Sequence, residues 1–274
     1  MIYSGDVPAN ALPSFRPFRG RGIHGPLAAL AQSNIWSTPS VNKRDVNAQP
    51  PLNPALQGVK MPDENDLFEI QRTTRAMRRL KPDPVPDELV QKILRAGMNA
   101  ASGGNSQRWR FLVIKDQSIK EKVQAYYKRA FDEVVSPRYL SSEPPPGSSP
   151  GRYRRQHSAV EYLTDHYHEA PIWIVACQDD GQSTPSRSSG ASIYPAVQNM
   201  LLAARALGLG ATLTTRHLNF EAEVEAIFGL PQGIHSYAIL PIGYPLGNFG
   251  PVRRGDMADF VYLDTWNNQY PGLE

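Results

Sequence analysis

One cysteine, Cys177, stands in 274 residues. An intrachain disulfide is therefore excluded, and a reducing compartment, the cytoplasm, is the simpler expectation. No apolar run approaches the ~18 residues that a membrane span needs. The formal net charge is only +3. The arginines stand near glycines and prolines instead of along one helix face, which argues against duplex nucleic acid and suits a small anion such as a phosphate. Nucleotide signatures are missing too. Gly208-x-Gly210 follows a predicted helix where a dinucleotide fingerprint precedes one, and Leu213 occupies the place of its third glycine. There is no Gly-x-x-x-x-Gly-Lys-Ser/Thr loop. His166 and His168, two apart on a predicted helix, face different ways, so no metal site is expected.

What is present is enough apolar material for a real core, 41% hydrophobic with 9% aromatic. Residues 1–62 differ from the rest: nine prolines, six Lys/Arg against two Asp/Glu, and no sustained periodicity. They read as an extended or disordered arm. A misassigned start codon and an arm crossing to a dimer partner are both open. The apolar patch at residues 27–31 is shorter than the ~7–15 residues of a signal-peptide core.

Order is expected from Asn65, a cap for a short helix through residue 71. Prolines 82, 84 and 86 forbid a helix next, since each removes an amide donor and biases its predecessor toward extended backbone. Leu89, Val90, Ile93, Leu94 and Gly97 then mark one face of a helix that stops at Ser102-Gly103-Gly104. A buried strand is expected over 111–114, a helix from Ser118 to about 135 with Ser118 and Glu121 as its capping box, and a strand over 171–177 holding Cys177 as a buried thiol. Residues 136–156, rich in Pro, Gly and Ser, read as a long loop and a candidate lid, followed by a helix over 158–169. The most helix-like stretch runs from about Ser192 to Leu207, with Pro195 in its first turn and Gly208 supplying the left-handed stop. A short helix over 219–228, a strand over 237–242 and a last strand over 260–263 complete the chain.

The stretch that organises the rest is Thr74-Arg75-Ala76-Met77-Arg78-Arg79, clamped by the prolines after it. A second pair, Arg253-Arg254, is flanked by glycines and a proline. Planar guanidiniums on constrained turns suit bidentate phosphate binding; a solvated surface cluster is the alternative reading. Ser102-Gly103-Gly104-Asn105 reads either as a helix stop or as a place of close backbone approach.

Taken together, Arg75-x-x-Arg78, Pro84-Val85-Pro86, Ser102-Gly-x-Asn-x-Gln107-x-Trp109, the helix through Gln198–Gly210 and Leu240-Pro-Ile-Gly-Tyr-Pro245 resemble the nitroreductase-like flavoprotein family over roughly residues 66–266. The resemblance implies an α+β fold, an antiparallel-dominated sheet packed between helices, in a domain-exchanging homodimer with FMN at the interface. It implies hydride transfer from NADH or NADPH to a nitroaromatic, quinone or related small acceptor. Reductive dehalogenation, flavin cleavage and non-enzymatic flavin binding remain alternatives on the same scaffold. By the same resemblance, Arg75, Arg253 and Arg254 hold the phosphate and Arg78, beside Ala76, serves the pyrimidine edge. Ser102, Gly103, Gly104, Asn105 and Gln107 contact flavin from the partner chain. Thr214, Thr215 and Arg216 meet the ring edge, and Tyr153 and Leu218 meet substrate. No catalytic acid, base or nucleophile is expected, because the cofactor carries the chemistry. The chain departs from the pattern at Thr74 and Ala76, where the family often has Arg-Arg-Ser across 74–76, so one phosphate ligand is replaced.

Overall fold

A computed structural model describes residues 66–144 and 148–273. By internal contacts the chain divides into two units, Met1–Pro51 and Leu52–Glu274, and the description concerns the second. The expected arm over residues 1–62 lies outside the described residues.

Four strands form one antiparallel sheet in the order β1-β2-β4-β3. They are β1 (Trp109–Ile114), β2 (Ile172–Asp179), β3 (Gly210–Ala211) and β4 (Ile234–Gly243). The middle of the sheet is buried on both faces, so β2 is a continuous apolar run instead of an alternating one. Cys177 lies there fully buried, and burial pushes its thiol up to about 12.

On one face pack helices α2 (Asp87–Met98) and α6 (Arg187–Ala206). Gly97 lets them touch, since a Cβ there would lie 2.7 Å from Met200 Cε. Ile93, Ile193, Val197 and Met200 are wholly buried in that contact, each contributing about 1.5–3 kcal/mol relative to exposure. On the other face Tyr127, Tyr167, Trp173 and Ile239 build a second cluster with helices α3 (Gln117–Ala130), α5 (Pro150–Asp165) and α7 (Glu221–Phe228). Tyr127 and Tyr167 stack at 3.9 Å.

Several elements differ from the sequence expectation, each for a local reason. Helix α1 (Leu67–Thr73) is capped by Asp66 and not Asn65, because the Asp66 carboxylate accepts the Glu69 amide. Asp116 displaces Ser118 as the cap of α3 in the same way, accepting from Ile119. The stretch read as a loop over 136–156 is largely helical. After a π-helical turn Phe131–Val135 comes α4 (Ser136–Ser141), and α5 begins at Pro150. Both helices place proline in their first turn, where an amide is not needed. Helix α6 starts at Arg187 on a Ser186/Ser189 capping box, which leaves Pro195 in its interior. The expected strand over 260–263 reduces to one isolated bridge, Tyr262 with Gln269.

Candidate functional site

The cationic segment between α1 and the proline run is extended because the sheet edge holds it. The Met77 amide donates to Ala211 O at 3.0 Å, the Lys81 amide to Tyr244 O at 2.8 Å, and Arg79 O accepts the Leu246 amide at 3.0 Å. Met77 and Leu80 turn inward against Gly210, where a Cβ would come within 2.9 Å of both. With those two side chains committed to the core, Arg75, Arg78 and Arg79 are left to the outside of the segment.

Two cavities share this segment. One, of about 300 Å³, is lined by Thr74, Arg75, Arg78, Arg205, Phe249 and Arg254 among others. The other, of about 620 Å³, is lined by Arg75, Arg78 and Arg79 together with Arg152 and Arg155 of α5. Neither lining includes a carboxylate. Burial lowers the Arg78 pKa, the tyrosines 139 and 127 offset part of that, and Arg216 and Arg75 lower it further. Unlike charges are what such a setting lacks, and an anion entering it removes repulsion as well as gaining hydrogen bonds.

Arg205, absent from the sequence-based set, is the most constrained cation of the smaller cavity. It is 6% exposed, its Nε donates to Thr73 Oγ1 at 3.0 Å, and its guanidinium lies 4.1 Å from the centre of the Phe249 ring. Its Nη1 is buried without a hydrogen-bond partner. No motif in the sequence marks it, because the partners that bury it, Thr73 and Phe249, meet it only in the folded chain.

The predicted site residues divide into three groups. Arg75, Ala76, Arg78 and Arg254 come together at the smaller cavity, whereas Arg253 is not among its lining residues. Ser102, Gly103, Gly104, Asn105 and Gln107 form a separate, mostly exposed turn around the 3-10 helix Gly103–Asn105, with few contacts beyond it: the Gln107 amide donates to Ser102 Oγ, the Gly103 amide to Ser192 Oγ at 3.2 Å, and Gln107 O accepts Arg110 Nη1 at 3.4 Å. They line neither arginine cavity. The third group is tied into the core. Thr214 Oγ1 donates to Ile239 O at 2.7 Å and bonds the Tyr167 hydroxyl at 2.6 Å. Arg216 Nη1 donates to Thr164 Oγ1 at 2.7 Å, and its guanidinium lies 4.7 Å from the Tyr127 ring centre. Thr215 precedes it, half-buried. Tyr153 packs on Tyr139 at 5.1 Å, and Leu218 lines a third groove with Tyr194, Glu221 and Tyr237. Beside that groove His235 Nδ1 sits 3.4 Å from Glu225 and 3.9 Å from Glu221. Ser236 already uses Glu225 Oε1, through its amide and its hydroxyl.

Comparison with known proteins supplies the context. The family model described as the Nitroreductase family matches residues 71–244. The NADH dehydrogenase of Thermus thermophilus is 29% identical over 194 residues, covering 66% of this chain and 87% of that protein. Iodotyrosine deiodinase 1 of Rattus norvegicus is 25% identical over 186 residues, covering 66% of this chain and 62% of the deiodinase. Among solved structures, oxidised iodotyrosine deiodinase bound to FMN and 3-iodo-L-tyrosine superposes with a TM-score of 0.57 at 24% identity, covering 74% of this chain and 99% of that one. An FMN-bound nitroreductase from Bacteroides fragilis gives 0.55 at 20% identity, covering 73% and 100%. At those identities the structures establish the fold.

Proposed function

The chain belongs to the nitroreductase family, and from that premise we propose that it is an FMN-dependent oxidoreductase of NADH or NADPH, acting as a homodimer on a nitroaromatic, quinone or related small acceptor. The observation that carries this reading is the smaller cavity, where Arg75, Arg205 and Arg254 surround a space with no carboxylate and a buried guanidinium nitrogen lacks a partner. A phosphomonoester fits that set of donors, because planar guanidiniums and a dianionic tetrahedral group satisfy each other bidentately. When bound, FMN supplies a ring able to accept a hydride and hand it on.

The chain's own residues do the rest. Arg75 and Arg254 hold the phosphate, and Arg78 places a positive charge near the ring, the kind of fixed electrostatics that favours electron acceptance. Gly103, Gly104, Asn105 and Gln107 are exposed on the single chain and Ser102 is half-buried, an arrangement that leaves the turn open to complete a partner's site. Thr214 and Thr215 shape the floor through the sheet, with Arg216 as a further positive charge. Residues 142–149, between α4 and α5, with Tyr153 and Leu218, are the places where acceptor preference is set.

The protein purified from a flavin-replete host is expected to be yellow, with the absorbance bands of bound flavin, and to oxidise NADH or NADPH in the presence of a quinone or nitroarene. A colourless protein that takes up no added FMN would overturn the reading. Reductive dehalogenation is the second reading, favoured by the similarity to the deiodinase over 66% of this chain; release of iodide from an iodophenol under reducing conditions separates it from the first.

A further inference from the structure

Position 74 carries no cation in this chain, and its hydroxyl is already in use: Thr74 Oγ1 donates to Ile70 O at 2.6 Å, closing the end of α1. The smaller cavity nonetheless has another guanidinium, delivered from a different element. Arg205 sits on the last turn of α6, 132 residues along the chain from the threonine that anchors it. The anchoring is specific. Nε is fixed to Thr73 Oγ1, which itself donates to Glu69 O at 2.7 Å, and the face of the guanidinium is covered by Phe249. Burial lowers the Arg205 pKa and the field of Glu69 raises it, but both Glu69 carboxylate oxygens are taken by Arg72, at 2.7 and 2.9 Å. Among the described residues no carboxylate pairs with Arg205, and Nη1 lacks any partner.

A buried charged donor left unsatisfied is costly, and native proteins keep one where a ligand completes it. We propose that Arg205 is a phosphate ligand of the bound cofactor, standing in from α6 for the cation absent at position 74. This rests on the FMN reading above and goes beyond it, since no motif in the chain assigns Arg205 a role. The geometry gives it a consequence: Arg205 distinguishes phosphorylated from unphosphorylated flavin. The Nε contact to Thr73 and the stacking on Phe249 hold the guanidinium in place before any ligand arrives, so little side-chain freedom remains to be lost on binding.

The test is flavin affinity measured by fluorescence quenching on the full chain stripped of cofactor, with FMN and riboflavin compared for the native protein, Arg205→Met and Arg205→Gln. The glutamine amide stands near the place of Nε and keeps a donor toward Thr73, so it decides the matter if the methionine variant folds poorly. Both variants are expected to weaken FMN about 10- to 100-fold, the worth of one charge-assisted hydrogen bond, while riboflavin affinity stays within about twofold. Equal FMN affinity in native and variant proteins overturns the inference and leaves the FMN reading standing. Parallel loss of FMN and riboflavin also overturns it, since the role of Arg205 would then be to hold the fold. A native protein that binds neither flavin removes the FMN reading itself.

Discussion

The segment around Arg75–Arg79 and the turn at residues 102–107 are both expected to serve one ligand, yet they are built in opposite ways. The first is stitched to the sheet by three backbone hydrogen bonds and gathers cations around two cavities. The second is exposed, makes most of its hydrogen bonds to itself, and holds Gly104, Asn105 and Gln107 at positive φ. Left-handed backbone at two non-glycine residues costs about 1–2 kcal/mol each and persists where the surroundings require it. The difference teaches that one chain carries a cation-lined half tied to its neighbours and an exposed turn held mainly by itself. The two-fold dimer proposed above is the arrangement in which both would serve one site.

The comparison breaks most visibly at the cations. Replacing Arg75 and Arg254 together with Ala is expected to weaken FMN binding by several kcal/mol, about 1.5–3 for each charged hydrogen bond lost. Titration of the cofactor-free protein measures this, and full flavin content in the purified double variant would remove the phosphate assignment.

A third stretch, residues 214–218, sharpens the contrast because it belongs to the core. His217 is fully buried with neither ring nitrogen hydrogen-bonded, and burial depresses its pKa from 6.5 to about 4. The native imidazole is therefore neutral, whereas the unfolded chain binds a proton below its ordinary pKa. Stability from this group is complete above about pH 6.5 and falls toward pH 4, by at most roughly 1.4 kcal/mol per pH unit. Urea midpoints at pH 7 and pH 5 should differ accordingly, and His217→Phe should flatten the difference. The same variant should keep kcat/KM within about tenfold, since loss of a true general acid costs roughly 10² to 10⁴.

How much of this was legible in the sequence depended on whether the deciding partner was near in the chain. The face of α2, the buried strand β2 and the glycine stop at Gly208, with φ 74°, follow from local periodicity and backbone chemistry. That Arg75, Arg78 and Arg254 stand on constrained turns was legible because prolines and glycines mark those turns. Arg205 was not, because its burial is decided by Thr73 and Phe249, which meet it only in the folded chain. Helix α4 and the start of α5, before the helix expected from 158, were hidden by composition, since Pro137 and Pro150 read as breakers although each occupies a first turn. The interior hydrogen bonds of Arg216 and Thr214 were not legible either, because their partners Thr164 and Tyr167 lie far away in the chain.

The smallest expected effect is the sharpest test of the exposed half. Gly103 has ordinary backbone geometry, and a Cβ added there would meet nothing closer than Ser192 Oγ at 3.8 Å. Within one chain, Gly103→Ala is therefore free of steric cost, and the lost glycine flexibility tends to stabilise, by about 0.4–1 kcal/mol. A flavin ring packed against this turn in a dimer changes the sign for binding, because a methyl group then stands where backbone must approach closely. We expect the thermal midpoint to hold or rise slightly while FMN affinity drops about tenfold, close to 1.4 kcal/mol. Both quantities can be read from one melting series with and without FMN. Unchanged FMN-induced stabilisation in the variant would show that the turn at 102–107 lies away from the cofactor and that its positive-φ residues serve some other contact.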